Sequence, residues 1–555
     1  MLLWIARRDS RRIVVNHRVV GLETEYGVTL NPQVSSRQRV SAEALSVATA
    51  QAVRSWQASL RPDGRAVAWD WAGEDPLADM RGGHLDRASA HPSLLTDNPE
   101  VFAPSGDNPG AGVTGGGADS VAMSDAVAAF GDSASLGAIV KPGELGNLAS
   151  PMLTNVVLSN GGRFYVDHAH PEYATPEVLT SVEAVTWDAA GENIARFAMT
   201  KALDSGVDLV LYKNNTDSKG SAYGTHENYL VPRQIPFDKI KGSLVPFLVT
   251  RPVICGAGRV GLGQHSENPG FQISQRADFV ADLVGLQTTF NRPIVNTRDE
   301  PHASTSWRRL HVINGDGNRF QGSILAKVAS TRAWLAAIEL ADKLGVSFPA
   351  AGMYFTCDPV EAVWQVSRDF DFSTRLACAD GRERSALDWQ YEAASRCAEF
   401  LASADTSLLT AGARQDAQIW VDTTEMLRAG TAGARVEWVA KHELFSRLAA
   451  RLPGGWENPK LAALDIRWAD LRPGCSPVDK LGTRMEVIVP ANRVAAAALQ
   501  APSGTRAAER GKAVSENPNL VAASWNTLVV ETGQEQLRRL SLGDPIASAL
   551  YIPEL

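Results

Sequence analysis

The chain has 555 residues, a net charge of −8, and 44% hydrophobic and 21% charged residues, the make-up of a soluble globular protein with about two or three folding units. No apolar run is long enough to cross a bilayer, and basic residues are interspersed with acidic ones, so neither a membrane nor nucleic acid is an expected partner. The five cysteines, Cys255, Cys357, Cys378, Cys397 and Cys475, are scattered without a C-x-x-C pair, which argues against a disulfide framework and a zinc site and leaves them as packing residues.

The opening Met1-Leu2-Leu3-Trp4-Ile5-Ala6 is apolar but gives way to Arg7-Arg8. It lacks the order and cleavage site of a secretory signal, so a cytoplasmic protein is expected. In Val20-Gly21-Leu22-Glu23-Thr24-Glu25-Tyr26-Gly27, strand alternation places Glu23 and Glu25 on one side and Val20, Leu22, Thr24 and Tyr26 on the other. A hard cation such as Mg²⁺ would suit two such carboxylates; an amphipathic strand with a solvated acidic face fits the same pattern. Ser41 caps an expected helix running towards Leu60. Residues 82–149 are rich in Gly, Ala, Ser, Asp and Pro, and so long a segment reads as a mobile insertion near a site or as a neutral one.

A hairpin is expected from strands over 152–158 and 163–168 across Ser159-Asn160-Gly161-Gly162. Its second strand runs into Tyr165-Val166-Asp167-His168-Ala169-His170-Pro171-Glu172-Tyr173, acids and imidazoles where scaffolds expose reactive groups, or a polar turn with a structural histidine. A helix over 181–201 and strands over 208–212 and 244–249 follow. The loop from Lys213-Asn214-Asn215 to Lys219-Gly220 has residues able to face an anion, and His226 could ligate a metal or be a hydrogen-bonded core histidine. A third cluster joins Ser274-Gln275-Arg276, Asn296-Thr297-Arg298-Asp299-Glu300-Pro301-His302 and Arg308-Arg309-Leu310-His311-Val312, where arginines could grip phosphate or carboxylate through paired hydrogen bonds. The P-loop, the G-x-S-x-G elbow and H-E-x-x-H are all missing; His442-Glu443 lacks the second histidine. Helices are expected over 322–344, 384–403 and 436–452, and a strand over 525–531 within a small terminal unit.

Taken together, these motifs resemble the family containing the Pup ligase and the depupylase Dop, whose catalytic domain is related to glutamine synthetase and the carboxylate-amine ligases. The resemblance rests on the Glu23/Glu25 and Asp167 to Tyr173 runs, Leu211-Tyr212-Lys213-Asn214-Asn215, Gly224-Thr225-His226-Glu227-Asn228-Tyr229, Ser274-Gln275-Arg276 and the 296–302 run. It covers most of 15–320 and continues more weakly to Ala522-Ala523-Ser524-Trp525. Asp-His-Ala-His-Pro-Glu-Tyr is similar to the depupylase form, and the segment after Gly82 to an enlarged depupylase loop, so hydrolysis is favoured over ligation.

The fold so implied is α+β: a glutamine-synthetase-like (carboxylate-amine ligase) catalytic domain over 15–465, its curved antiparallel sheet packed on helices and 82–149 a flexible loop insertion, then a small C-terminal domain over 470–555. The resemblance implies that Glu23, Glu25, Glu172, His226 and His302 hold Mg²⁺ and nucleotide phosphates. It implies Asp167 as the catalytic carboxylate, nucleophile or base, and Arg276, Arg298 and Arg309 as ligands of phosphate or of Pup's terminal glutamate. ATP, or ADP plus phosphate, is expected as a bound cofactor, with Pup and pupylated proteins as partners. Pup, a disordered acidic modifier, would lie along a groove bearing Lys480, Arg493, Arg506, Arg510 and Lys512. The depupylase pattern Trp-Asp-Tyr-Glu-x-Glu-Ser-Pro-Leu-x-Asp stands here as Trp69-Asp70-Trp71-Ala72-Gly73-Glu74-Asp75-Pro76-Leu77-Ala78-Asp79, short of one acid and one tyrosine. The ligase reaction and a non-catalytic Pup-binding paralogue are the alternative readings.

Overall fold

Alternating polar and apolar residues build the element on which everything else rests. In the computed structural model, which describes residues 17–32, 40–91, 94–95, 154–532 and 536–546, strands β1 (Val20–Glu25), β4 (Asn155–Val157), β5 (Arg163–Asp167), β6 (His170–Ala174), β8 (Thr225–Pro232) and β13 (Trp307–Val312) form one sheet in the order β13-β8-β1-β6-β5-β4. All its neighbours are antiparallel. Glu23 lies opposite His226, Glu25 opposite Glu172, Glu172 opposite Tyr165, and Asn228 opposite His311. Because partners in register share a face, Glu23, Glu25, Tyr165, Asp167, Glu172, His226, Asn228, Arg309 and His311 all emerge on one side.

The other face carries Leu22, Phe164, Tyr173, Tyr229, Leu310 and Val312, all buried in the main core. It packs on α1 (Ala42–Ser59) and α2 (Ser181–Asp204). Ser41 caps α1 by accepting from the Ala44 amide at 3.2 Å, and Thr180 and Glu183 form a reciprocal capping box on α2. Each large side chain so buried contributes roughly 1.5–3 kcal/mol.

Helices and antiparallel sheets are mixed in an α+β arrangement. Smaller pairings are β2 (Gly27–Leu30) with β7 (Leu209–Tyr212), β9 (Arg259–Leu262) with β10 (Asn268–Gln272), β11 (Val280–Gly285) parallel to β12 (Arg292–Asn296), and β14 (Leu376–Ala377) with β15 (Glu383–Arg384). Residues 244–249, expected as a strand, are instead part of the helix Phe237–Thr250. A short apolar run does not separate a strand from a buried helix, and here Phe247 is stacked 5.2 Å from Trp334 and edge-on 5.5 Å from Trp420. The helices Gln321–Leu344, Ala386–Ser403 and Glu437–Ala449 match their expected spans closely.

The terminal unit expected over 470–555 does not close on itself. Strands β16 (Leu520–Ala523), β17 (Thr527–Thr532) and β18 (Gln536–Ser541) take β3 (Ala68–Trp69) into their sheet, parallel to β16. Arg61 also donates to the carbonyls of Asn517 at 3.0 Å and Leu520 at 3.2 Å. Val67 bridges Val157, so the stems of the chain's excursion between β3 and β4 lie side by side. Most of the expected 82–149 insertion lies outside the described residues; its base is held by a small cluster of Leu77, Leu94 and Leu286. No helix among the described residues is long and apolar enough to cross a membrane. The five cysteines are free thiols, with Cys255, Cys378 and Cys397 buried.

Candidate active site

The hairpin β5–β6 turns through His168 and Ala169, with His168 at φ +52°. Left-handed backbone costs roughly 1–2 kcal/mol for an ordinary L-residue, and histidine is among the residues found there more often than most. The turn brings His168 Nδ1 to 3.1 Å from Asp167 Oδ1. Burial opposes ionisation of Asp167, but the His168 charge and hydrogen bond outweigh it and hold the carboxyl below its usual range. The Asp167 charge in turn lifts His168 to about 9.

Glu25, Asp167 and Glu172 offer oxygens that all lie within 4.8 Å of one another. Glu172 is 2% exposed, and burial together with the charges of Asp167, Glu25 and Glu23 pushes its carboxyl well above the ordinary value. Three carboxylates so close cannot all ionise without a cation. Their all-oxygen donor set fits Mg²⁺. Glu25 Oε1 is fixed by the Gly224 amide at 2.7 Å; a Cβ at Gly224 would come within 2.6 Å of that oxygen and 2.2 Å of His226 Nε2, so a larger residue there would push these side chains out of place.

Glu23, His226 and His311 form a second group within the same 4.8 Å limit. His226 Nδ1 is 3.3 Å from Glu23 Oε2, and Asn228 Nδ2 donates to Glu23 Oε1 at 2.9 Å. Burial raises Glu23, but the His226 hydrogen bond and the charges of His311 and Arg309 leave it well below normal. Burial and Arg309 hold His311 well below its usual value, which favours the neutral imidazole that a metal needs. Sequence reasoning placed His311 in a cluster but not among the ligands; its two-residue spacing from Arg309 on β13 was the available signal.

His302 was expected with these ligands and is not among them. It stands with Glu74 and Glu300 in a third group, its Nε2 3.9 Å from Glu74 Oε2. That group already has its counter-charges, because Glu300 binds Arg298 at 2.7 Å and Arg309 at 3.3 Å. Trp69 donates to Glu74 Oε1 at 2.9 Å and the Asp75 amide to Glu300 Oε1 at 2.8 Å, so the divergent 69–79 segment borders the site. Arg276 is buried and donates to the Tyr223 carbonyl.

Two further expectations are corrected. Lys213 is not available to an anion: its ammonium is buried against Asp188 Oδ2 at 2.6 Å and Glu192 Oε1 at 3.2 Å. Arg506 and Arg510 are not free surface cations: both are buried against Glu177, and Arg506 borders the cavity beside Glu23, whereas Lys480, Arg493 and Lys512 are exposed. A cavity of about 80 Å³ opens beside Glu23 and Arg309, lined also by Thr175, Asn228, Pro301 and Trp525. With apolar walls and polar groups beside the carboxylates, it suits part of a small molecule in shape and chemistry.

Residues 18–529 match the family model described as Pup-ligase protein. The chain is 35% identical over 542 residues to the depupylase of Acidothermus cellulolyticus, covering 96% of this chain and 94% of that protein. It is 34% identical over 543 residues to the Pup deamidase/depupylase of Mycolicibacterium smegmatis, covering 95% and 94%. Among solved structures, the Pup ligase PafA in complex with ADP matches at a TM-score of 0.64 and 30% identity, covering 84% of this chain and 97% of that one.

Proposed function

Because the chain belongs to the Pup-ligase family, we propose that it is a depupylase, which hydrolyses the isopeptide bond between the γ-carboxyl of Pup's C-terminal glutamate and a substrate lysine, and deamidates a C-terminal glutamine of Pup by the same chemistry. The observation that carries the site assignment is the trio of Glu25, Asp167 and Glu172 within 4.8 Å, with Asp167 alone of the three at the hairpin tip. Relatives named for depupylase activity match over nearly the whole chain, which favours hydrolysis over ligation.

In this reading the catalytic region is glutamine-synthetase-like. Glu25 and Glu172 would hold Mg²⁺, and Glu23, His226 and His311 offer a second donor group for a cation. When bound, Mg²⁺ and nucleotide would supply positive charge that stabilises the developing negative charge, a contribution of several kcal/mol when preorganised. The ADP complex of the PafA neighbour supports the nucleotide. Asp167, kept ionised by His168, either attacks the γ-carbonyl carbon or takes a proton from the attacking water. If Asp167 acts as base, the proton it takes from water passes to the lysine nitrogen as the carbon–nitrogen bond breaks; if it attacks directly, the nitrogen takes a proton from the neighbouring His168 imidazolium, and water then hydrolyses the aspartyl–glutamyl anhydride to two carboxylates, returning one proton to His168 and one to the amine. Lys480, Arg493 and Lys512 remain the exposed cations for an acidic Pup.

Incubation of the full chain with a defined Pup–protein conjugate and Mg²⁺-ATP should release free Pup without stoichiometric ADP formation. Asp167→Asn should reduce the rate by at least about a thousandfold, since it removes the reacting carboxylate. Full activity in that variant would remove Asp167 from the mechanism, and conjugate formation coupled to ADP would identify a ligase. Binding without cleavage would mark a non-catalytic paralogue.

A further inference from the structure

Away from the carboxylates, a groove of about 300 Å³ lies between the turn joining β9 to β10 and the single turn Gly455–Glu457, which leads into the helix Pro459–Trp468. Pro269 and Pro459 form apolar walls, Trp456 supplies an aromatic surface, and Ser218, Glu267 and Glu457 are among its polar groups. Trp456 is half-buried, its indole parallel to the His442 imidazole at 6.3 Å and tilted against Phe271 at 5.8 Å, so the ring is held in place before anything docks. Glu267 Oε2 accepts from the His265 amide at 2.9 Å. Among the described residues, neither Glu267 nor Glu457 has an ion-pair partner, and no lysine or arginine lines the groove.

One loop joins this groove to the site. Ser218 lies in the stretch that Thr216 and Ala222 close by a β-bridge, and two residues beyond Ala222 the Gly224 amide holds Glu25. His265, in the β9–β10 turn, meets the Lys219 carbonyl through Nδ1 at 2.9 Å, and a Cβ at Gly220 would come within 2.3 Å of its ring. Ser218 on the loop and Ser266 on the turn both border the groove and both have left-handed backbone, at φ +59° and +54°, a conformation that ordinary residues keep only where their surroundings demand it. A chain seated in the groove thus touches the loop whose far end meets the carboxylates.

We propose that the groove receives an arginine or lysine side chain of the protein to which Pup is joined, and so selects among conjugates by the basic residues around the modified lysine. This rests on the depupylase reading. A cation lying against Trp456 is attracted by the ring, and Glu267 and Glu457 supply the counter-charge; the prolines and Val260 thin the water around the pair, which strengthens both attractions. The same two carboxylates repel an acidic segment, so this surface discriminates by charge between the target protein and an acidic modifier.

The test uses the full chain with Mg²⁺-ATP and two conjugates in which Pup is joined to the central lysine of a peptide with arms of ten residues, each arm reaching about 33 Å when extended. The conjugates differ only in that the arginines in the arms of one are glutamines in the other. The wild type should show a KM at least tenfold lower for the arginine conjugate. Trp456→Ala and the milder Glu457→Gln should each bring the two KM values within threefold by raising that of the arginine conjugate. Glu399→Gln, the same change of charge at an exposed position of the helix Ala386–Ser403, should leave the preference intact. In parallel, fluorescence anisotropy follows binding of the two labelled peptides without Pup. If the wild type cleaves neither conjugate, the depupylase reading falls and anisotropy alone decides: arginine-peptide binding weakened at least fivefold by both groove variants but not by Glu399→Gln upholds the groove. Equal KM values in a wild type that cleaves both conjugates, a preference unchanged in both groove variants, or an equal loss in Glu399→Gln overturns the proposal, as does an arginine peptide that a non-cleaving wild type fails to bind.

Discussion

Replacing Glu172 by glutamine keeps the side-chain shape and removes one of three mutually repelling carboxylates. Its folded-state pKa is raised by burial and by Asp167, Glu25 and Glu23, so the folded chain binds this proton more tightly than the unfolded one. Stability from this group is therefore intact below the unfolded carboxyl value and falls as pH rises towards the folded value. Every pKa unit of that difference below the working pH is worth about 1.4 kcal/mol. With an unfolding entropy of roughly 2.1 cal/mol/K per residue, a chain of 555 residues moves by about 1 °C in Tm per unit if it melts cooperatively. In EDTA at pH 7.5, Glu172→Gln should thus melt at or above the wild type, and the gap should close on acidification to pH 4.5. Addition of Mg²⁺ should reverse the order, because the wild type gains a bound cation and the variant has lost a ligand oxygen. Differential scanning calorimetry with and without Mg²⁺ measures both. A variant less stable than wild type in EDTA, yet equally stabilised by Mg²⁺, would falsify the picture of a cation-demanding carboxylate trio.

Gly224→Ala should leave the melting temperature within a few degrees but weaken Mg²⁺ binding at least tenfold, since its Cβ collides with Glu25 and His226; equal Mg²⁺ affinity by calorimetry would show that the strand end yields freely. Glu177, held at about 2 by Arg510 and Arg506 against the cost of burial, contributes stability that is present above the unfolded carboxyl value and lost as pH falls through about 2. Glu177→Gln should destabilise by about 3–5 kcal/mol at neutral pH, leaving two buried guanidiniums uncompensated; a denaturant midpoint equal to wild type would contradict this.

Period-two alternation made the shared face of Glu23 and Glu25 readable, and the strand that ends in Asp167 followed from the Asn-Gly-Gly turn before it. What joins them is strand register across residues 20–25, 163–174, 225–232 and 307–312, which no local window encodes. That is why His311 was passed over and His302 was grouped with the wrong partners. The 244–249 run misled for a different reason: its apolar density reflects burial among tryptophans, which suits helix or strand equally. Arg506 and Arg510 read as groove cations for an acidic partner because charge alone does not reveal Glu177, more than 300 positions away, as their counter-ion.

The bridge from Val67 to Val157 has a further meaning for the long excursion that leaves and returns there. Once both ends are clamped, halving such a loop changes its closure entropy by only about 0.6 kcal/mol. The contacts of Asp70 with Arg539 and of Glu74 with Trp69 belong to the near stem. A change in the number of residues between the two clamped stems therefore alters the folding free energy little.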